Sequence, residues 1–144
     1  MSTYTASEIC AAAGCIASTL RAWRNRNHLF GDQPAIGGWS RFTLADVIAV
    51  RALVLLSQRG FEAQHAVDLI NHMGPIFERA AHGGAPLIGI GRKLDSDELE
   101  VRGLNKANSV AEELSWFTDP IVLVIDLNAI AFEVAAALKA GGDD

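Results

Sequence analysis

The sequence predicts a mainly α-helical chain that ends in a small α+β part. Three observations predict this. Apolar residues recur at helical spacing, between capping and stop signals, as far as Ala81. Beyond Gly83-Gly84 the pattern changes to short apolar runs separated by turns. Half of the 144 residues are hydrophobic and 20% are charged, which is enough apolar material for a buried core and excludes wholesale disorder.

The first helix is expected over 5–13. Thr5 or Ser7 serves as N-cap, Glu8 suits the first turn, and Ile9, Ala12 and Ala13 form an apolar face. Gly14 is a turn position. A second helix is expected over 17–26, with Leu20 and Trp23 on one side and Arg21, Arg24 and Asn25 mostly on the other. Two short helices joined by a glycine-containing turn make the helix-turn-helix pattern. Gly31-Asp32 and Gly37-Gly38 are turn signals, so 31–42 reads as a short hairpin, or wing. Thr43 caps a third helix over 44–58, with Leu44, Val47, Ile48, Leu53 or Val54, and Leu55 as its buried stripe. Gly60 stops it. The fourth helix, 62–73, turns Ala66, Val67, Ile70 and Met73 inward, and Pro75 opens a further turn through Ala81.

Residues 1–82 are therefore read as one winged helix-turn-helix domain and 84–144 as a second, acidic α+β module. The order in the second module is strand, strand, helix, strand, helix. Strands are expected at 86–91 and 99–104, joined by a polar turn. A helix over 108–117 sets Val110, Leu114 and Phe117 on one side. The β-branched run 121–127 reads as a strand buried on both faces. Asn128 then caps a last helix, in which Leu127, Ile130, Val134 and Leu138 fall at near-heptad spacing. That stripe serves either dimerisation or the covering of strand 121–127, and the sequence leaves both open.

Charge divides along the chain. Residues 1–72 hold six arginines against five acids, a net of +1, and 73–144 hold six basic residues against twelve acids, a net of −6. Within 16–42, four arginines face one acid. Such asymmetry points to two roles. No apolar run approaches the ~18 residues of a membrane span, and the opening residues lack the pattern of a secretion signal. The expected location is the cytoplasm, where Cys10 and Cys15 remain thiols.

Four stretches, in order, carry a resemblance to a known family. They are Tyr4-Thr5-Ala6-Ser7-Glu8-Ile9; Gly14-Cys15 through Thr19-Leu20-Arg21-Ala22-Trp23-Arg24; Gly38-Trp39-Ser40-Arg41-Phe42-Thr43-Leu44-Ala45-Asp46-Val47; and Leu55 through Gln58-Arg59-Gly60-Phe61. Together they resemble the MerR family of winged-helix DNA-binding regulators, over about half the chain. The resemblance implies a cytoplasmic homodimer that binds double-stranded DNA and regulates transcription. It places Thr19, Arg21 and Trp23 of the second helix and Arg41 of the wing at the DNA. Ser18 joins them as the neighbour of Thr19 on the exposed start of that helix. Arg24 and Arg26 are candidate phosphate contacts by charge and position. Trp23 and Trp39 also fit packing against the wing. Two departures alter the DNA-facing surface: Ala22 stands where the family usually has an aromatic, and Arg24 where it often has an acid. The long dimerisation helix that precedes the family's effector region is missing after Ala81, so no inducer carries over.

Other constellations are weaker. Cys10 and Cys15 have neither redox nor zinc spacing. His65, Asp68 and His72 share a helix face, but an Asp68–His72 contact explains them without a metal. Gly89-x-Gly91 lacks the third glycine and following helix of a nucleotide loop. No catalytic residue, cofactor or metal is expected. Two other readings stand beside the regulator. One is a phage-type excisionase, packaging or architectural DNA-binding protein. The other is a ligand-binding or catalytic α+β domain that uses the winged module for protein interaction, which a pocket lined by Asp126 and the Arg92-Lys93 turn would support.

Overall fold

The computed structural model describes residues 2–31, 41–84 and 87–142. Five helices come first: α1 (Ala6–Ala13), α2 (Ala17–Arg26), α3 (Leu44–Gln58), α4 (Ala63–His72) and α5 (Gly74–Ala81). A hairpin of β1 (Leu87–Arg92) and β2 (Leu99–Leu104) follows, then α6 (Val110–Leu114), β3 (Leu123–Asp126) and α7 (Leu127–Gly142). The chain is thus mainly helical with one small antiparallel sheet.

Local sequence explains the helix ends. Thr5 Oγ1 accepts the Glu8 N–H at 3.2 Å while Glu8 Oε1 accepts the Thr5 N–H at 3.0 Å, a reciprocal capping box. Thr43 and Asp46 repeat the device at the start of α3. Gly14 ends α1 at φ +82°, and a Cβ there would stand 3.1 Å from the Arg51 guanidinium. The positive backbone angle calls for glycine, and the neighbouring arginine leaves little room for a side chain.

α3 is the hub, packed against α1, α4, α5 and α7. The expected single stripe is too narrow. Ala45, Val47, Ile48, Ala49, Val50, Ala52, Leu53, Val54 and Leu56 are all buried, whereas Leu44 and Leu55 are only half-buried. A helix that is apolar all round belongs in the middle of a fold.

The sheet order is β2-β1-β3, with β1 antiparallel to both neighbours. Its inner face sets Ile88, Ile90 and Ile125 into the core. On its outer face Gly89 and Gly91 admit the ring of Phe117, since a Cβ at either would lie 2.9 Å from a ring carbon. This close approach is what the Gly-x-Gly pair is for. Asp119 pins the loop above it, accepting the N–H of Arg92 at 2.7 Å and of Ile121 at 2.9 Å.

Three expectations change in this half. The 121–127 run is not a strand buried on both faces: β3 is shorter and lies at the sheet edge, with Ile121 80% and Val124 48% exposed. The 108–117 helix shrinks to α6, whose Val110 and Leu114 face solvent while Phe117 lies beyond it on the sheet. Asn128 does not cap α7. The helix leaves β3 directly, and Asp126 Oδ1 accepts the Ala129 N–H at 3.1 Å.

The expected boundary after residue 82 is a change of pattern and not a break in the core. α7 returns to pack on α1, α3 and α5, and one hydrophobic cluster runs from Ile9 to Val134. Arg51 strengthens the junction. It donates to the Ala13 carbonyl at 3.0 Å and pairs with Glu133 of α7 at 2.6 Å. No described helix is long and apolar enough to cross a membrane.

Candidate nucleic-acid interface

α2 buries Leu20 and Trp23 and turns its other side outward. Ser18, Arg21 and Asn25, at i, i+3 and i+7, form the centre of that outer side and are exposed. By the same periodicity, half-buried Thr19 and exposed Arg26 lie on one flank and half-buried Arg24 on the other. Arg21 and Arg26 form no hydrogen bond or ion pair with any described residue.

Arg24 and Arg41 are brought to one corner by the chain's start. Tyr4 and Phe42 exchange backbone hydrogen bonds of 2.7 and 2.8 Å, so the opening segment lies beside Phe42. The Arg24 guanidinium sits over the Phe42 ring, 5.2 Å from its centroid. Arg41, the preceding residue, donates from Nε to Thr3 Oγ1 at 2.9 Å and from Nη2 to the Thr3 carbonyl at 3.3 Å. Two of the guanidinium's five donors are engaged in this way. Glu8 is near, its carboxyl held below its usual range first by hydrogen bonding with Thr5 and in smaller part by the Arg41 charge. The anchoring roles of Thr3 and Phe42 were not read from sequence. They arise from a contact between residues 38 apart.

Trp23 differs from the contacts the resemblance implies. It is 7% exposed and belongs to the core, so its indole packs and does not face outward. The wing read over 31–42 falls, from 32 to 40, outside the described residues, and Trp39 with it.

The turn that leaves α2 is held from α4. His28 and Phe30 adopt positive φ of 59° and 65°, a costly backbone for non-glycine residues. Asn71 secures it, accepting the Phe30 N–H at 2.9 Å and donating to the His28 carbonyl at 3.0 Å. Gln64 likewise accepts from Asn27 at 2.9 Å. α2 is therefore fixed to the body at its C-terminal end as well as through Leu20 and Trp23.

Other candidates are engaged elsewhere. His65 faces Glu62 at 3.4 Å, and Asp68 accepts from Gln64 at 2.8 Å. No group of three metal-ligating side chains comes together among the described residues. Burial, then the neighbouring Cys10, pushes the Cys15 thiol up to about 12. Asp126 lines a cleft of about 220 Å³ with Leu55 of α3 and with Arg59 just past its end, and not with the Arg92-Lys93 turn. Its carboxyl is held low, chiefly by the Ala129 N–H and also by Lys106. A cleft of about 440 Å³ between α3, α4 and α5 has Asp46 and Asn71 in its wall. Both already hold backbone, at Thr43 and at the 28–30 turn.

The stripe Leu127, Ile130, Val134 and Leu138 is turned into the chain's own core. The first three are buried and Leu138 is packed against them. The sequence offers dimerisation or the covering of strand 121–127, whereas the main contacts of α7 are with α1, α3, α5 and β1. No family model and no curated protein matches the chain.

Proposed function

We propose that this chain is a sequence-specific double-stranded-DNA-binding protein, a MerR-like transcriptional regulator with a winged helix-turn-helix, acting as a homodimer. The observation that carries the reading is the outer side of α2. Ser18, Arg21 and Asn25 stand along it on a helix fixed at its C-terminal end and through Leu20 and Trp23, with Arg24 and Arg41 at its flank. A helix of this kind lies in the major groove, where an arginine takes guanine O6 and N7 together and small polar side chains meet base edges. Arg24, Arg26 and Arg41 neutralise phosphates on either side. The acidic second half keeps the rest of the body off the duplex.

Selection of bound sequences from a random duplex pool tests this. The expected result is a two-fold symmetric consensus that disappears with Arg21→Ala, and an enrichment no different from the input pool sinks the reading. The three phosphate-contacting arginines of each subunit, six per dimer, set a slope of log affinity on log salt of roughly −5. A second reading is an excisionase, packaging or architectural protein. It is favoured because α7 shares the core of α1, α3 and α5, so the described residues hold no separate sensor domain. Strong bending of DNA without a palindromic consensus distinguishes it.

A further inference from the structure

The cleft of about 440 Å³ between α3, α4 and α5 has the size of a small-molecule site. Its floor is apolar, with Ile70 and Phe77 buried in it and half-buried Phe30 at one side. Two carboxylates line it from different helices, Asp46 from α3 and Glu78 from α5, and no lysine, arginine or histidine is among the lining residues. Asp46 spends only Oδ2 on the Thr43 N–H. The Glu78 carboxylate forms no hydrogen bond or ion pair with any described residue. The space is open to a side chain as well, since a Cβ on Gly74, also in the wall, would meet nothing within 4 Å. An apolar floor under an uncompensated negative rim is complementary to an apolar body that carries a positive charge.

We propose that this cleft binds a compact organic ammonium. Its apolar body lies on Ile70 and Phe77, and its charge faces Asp46 and Glu78 with the Phe30 ring beside it. A metal ion fits less well, because no group of three metal-ligating side chains comes together among the described residues. An anion would meet two like charges. The cleft also touches the support of α2. Asn71, in its wall, holds the backbone of His28 and Phe30 at positive φ. The Phe30 ring lies 6.3 Å from that of Phe42, over which the Arg24 guanidinium sits. An occupant that favours one setting of the 28–30 turn therefore shifts Arg24, and duplex and ammonium then change each other's affinity by the same factor. This coupling rests on the DNA-binding reading, whereas the site itself does not.

Isothermal titration of the whole chain without DNA tests the site, with 2-phenylethylamine as the probe and 2-phenylethanol as its uncharged match. The amine is expected to bind with a Kd of about 1 mM or tighter, and the alcohol about 5-fold more weakly or worse. Asp46→Asn combined with Glu78→Gln removes both charges, keeps a carbonyl oxygen for the Thr43 cap, and is expected to weaken the amine about 10-fold. Gly74→Leu, at a position of ordinary φ, is expected to fill the cleft and abolish binding. Glu112→Gln, an exposed acid on α6, is expected to change nothing. The melting temperature of each variant is measured beside it, so that loss of fold is told from loss of site. Equal binding of amine and alcohol overturns the proposal. So does wild-type binding by both cleft variants, or Zn²⁺ binding at the two carboxylates by a chain that ignores the amine. A chain that binds the amine and selects no duplex keeps the site and sinks the DNA reading, and one that selects a duplex and ignores the amine does the reverse. Where both bind, saturating amine is expected to shift duplex affinity by about 5-fold or more, and an unchanged affinity overturns the coupling.

Discussion

α2 and α7 are built alike on one side and oppositely on the other. Each buries a short apolar stripe in the same core, Leu20 and Trp23 in α2 and Leu127, Ile130 and Val134 in α7. The outer side of α2 carries arginines and small polar groups, whereas that of α7 carries alanines and Phe132. The inner sides speak only of folding. The outer sides are left unconstrained by folding, and the proposed partner at α2 is an anionic, hydrated one.

The largest effects come from breaking the shared inner sides. Leu127→Ala removes a fully buried side chain and is expected to cost about 2–5 kcal/mol, read as a lower denaturation midpoint with or without DNA. Trp23→Ala should cost a similar amount, about 3–5 kcal/mol, and so should weaken DNA binding only through unfolding. If Trp23→Ala leaves stability intact and abolishes binding, the indole is a contact after all. Next come changes to the outer side of α2. Arg21→Ala is expected to lose about 1–3 kcal/mol of affinity for the selected sequence with melting unchanged, measured by titration of labelled duplex. Arg26→Gln should act on all sequences equally and flatten the salt slope by roughly 2 in a dimer, one phosphate per subunit. A change in sequence preference would move Arg26 from backbone to bases.

The smallest effect concerns acid. The Asp119 carboxyl is held below its usual range by the N–H groups of Ile121 and Arg92. A carboxyl depressed in the folded state adds stability above the unfolded-state pKa and loses it as pH falls through the folded value. Melting temperature should therefore decline below about pH 4, and Asp119→Ala should lack that part of the decline. If the variant melts in parallel with the wild type from pH 6 to pH 2, Asp119 does not pin the loop.

Local chemistry made much of the fold legible. The capping boxes at Thr5 and Thr43, the stop at Gly14 and Pro75 at the start of α5 are signals within a few residues, and the helices they bound fall where the sequence reading sets them. The hairpin of β1 and β2 was legible for the same reason. Where reading failed, the deciding contact was distant. Residues 121–127 have the composition of a central strand, but β1 takes the centre, paired on both edges, and β3 takes an edge. Periodicity said that α7 has an inner stripe without saying which neighbour would cover it.

What the sequence determined by itself is therefore the set of helices, most of their ends, and the concentration of arginine in the first half, because capping, periodicity and charge act over one or two turns. The tertiary structure alone decided that both halves share one core, that Trp23 turns inward, that Arg24 and Arg41 meet at Phe42, and that Phe132 is left outside. Each of those depends on which apolar surfaces exclude water together, and that choice is made between residues far apart in the chain.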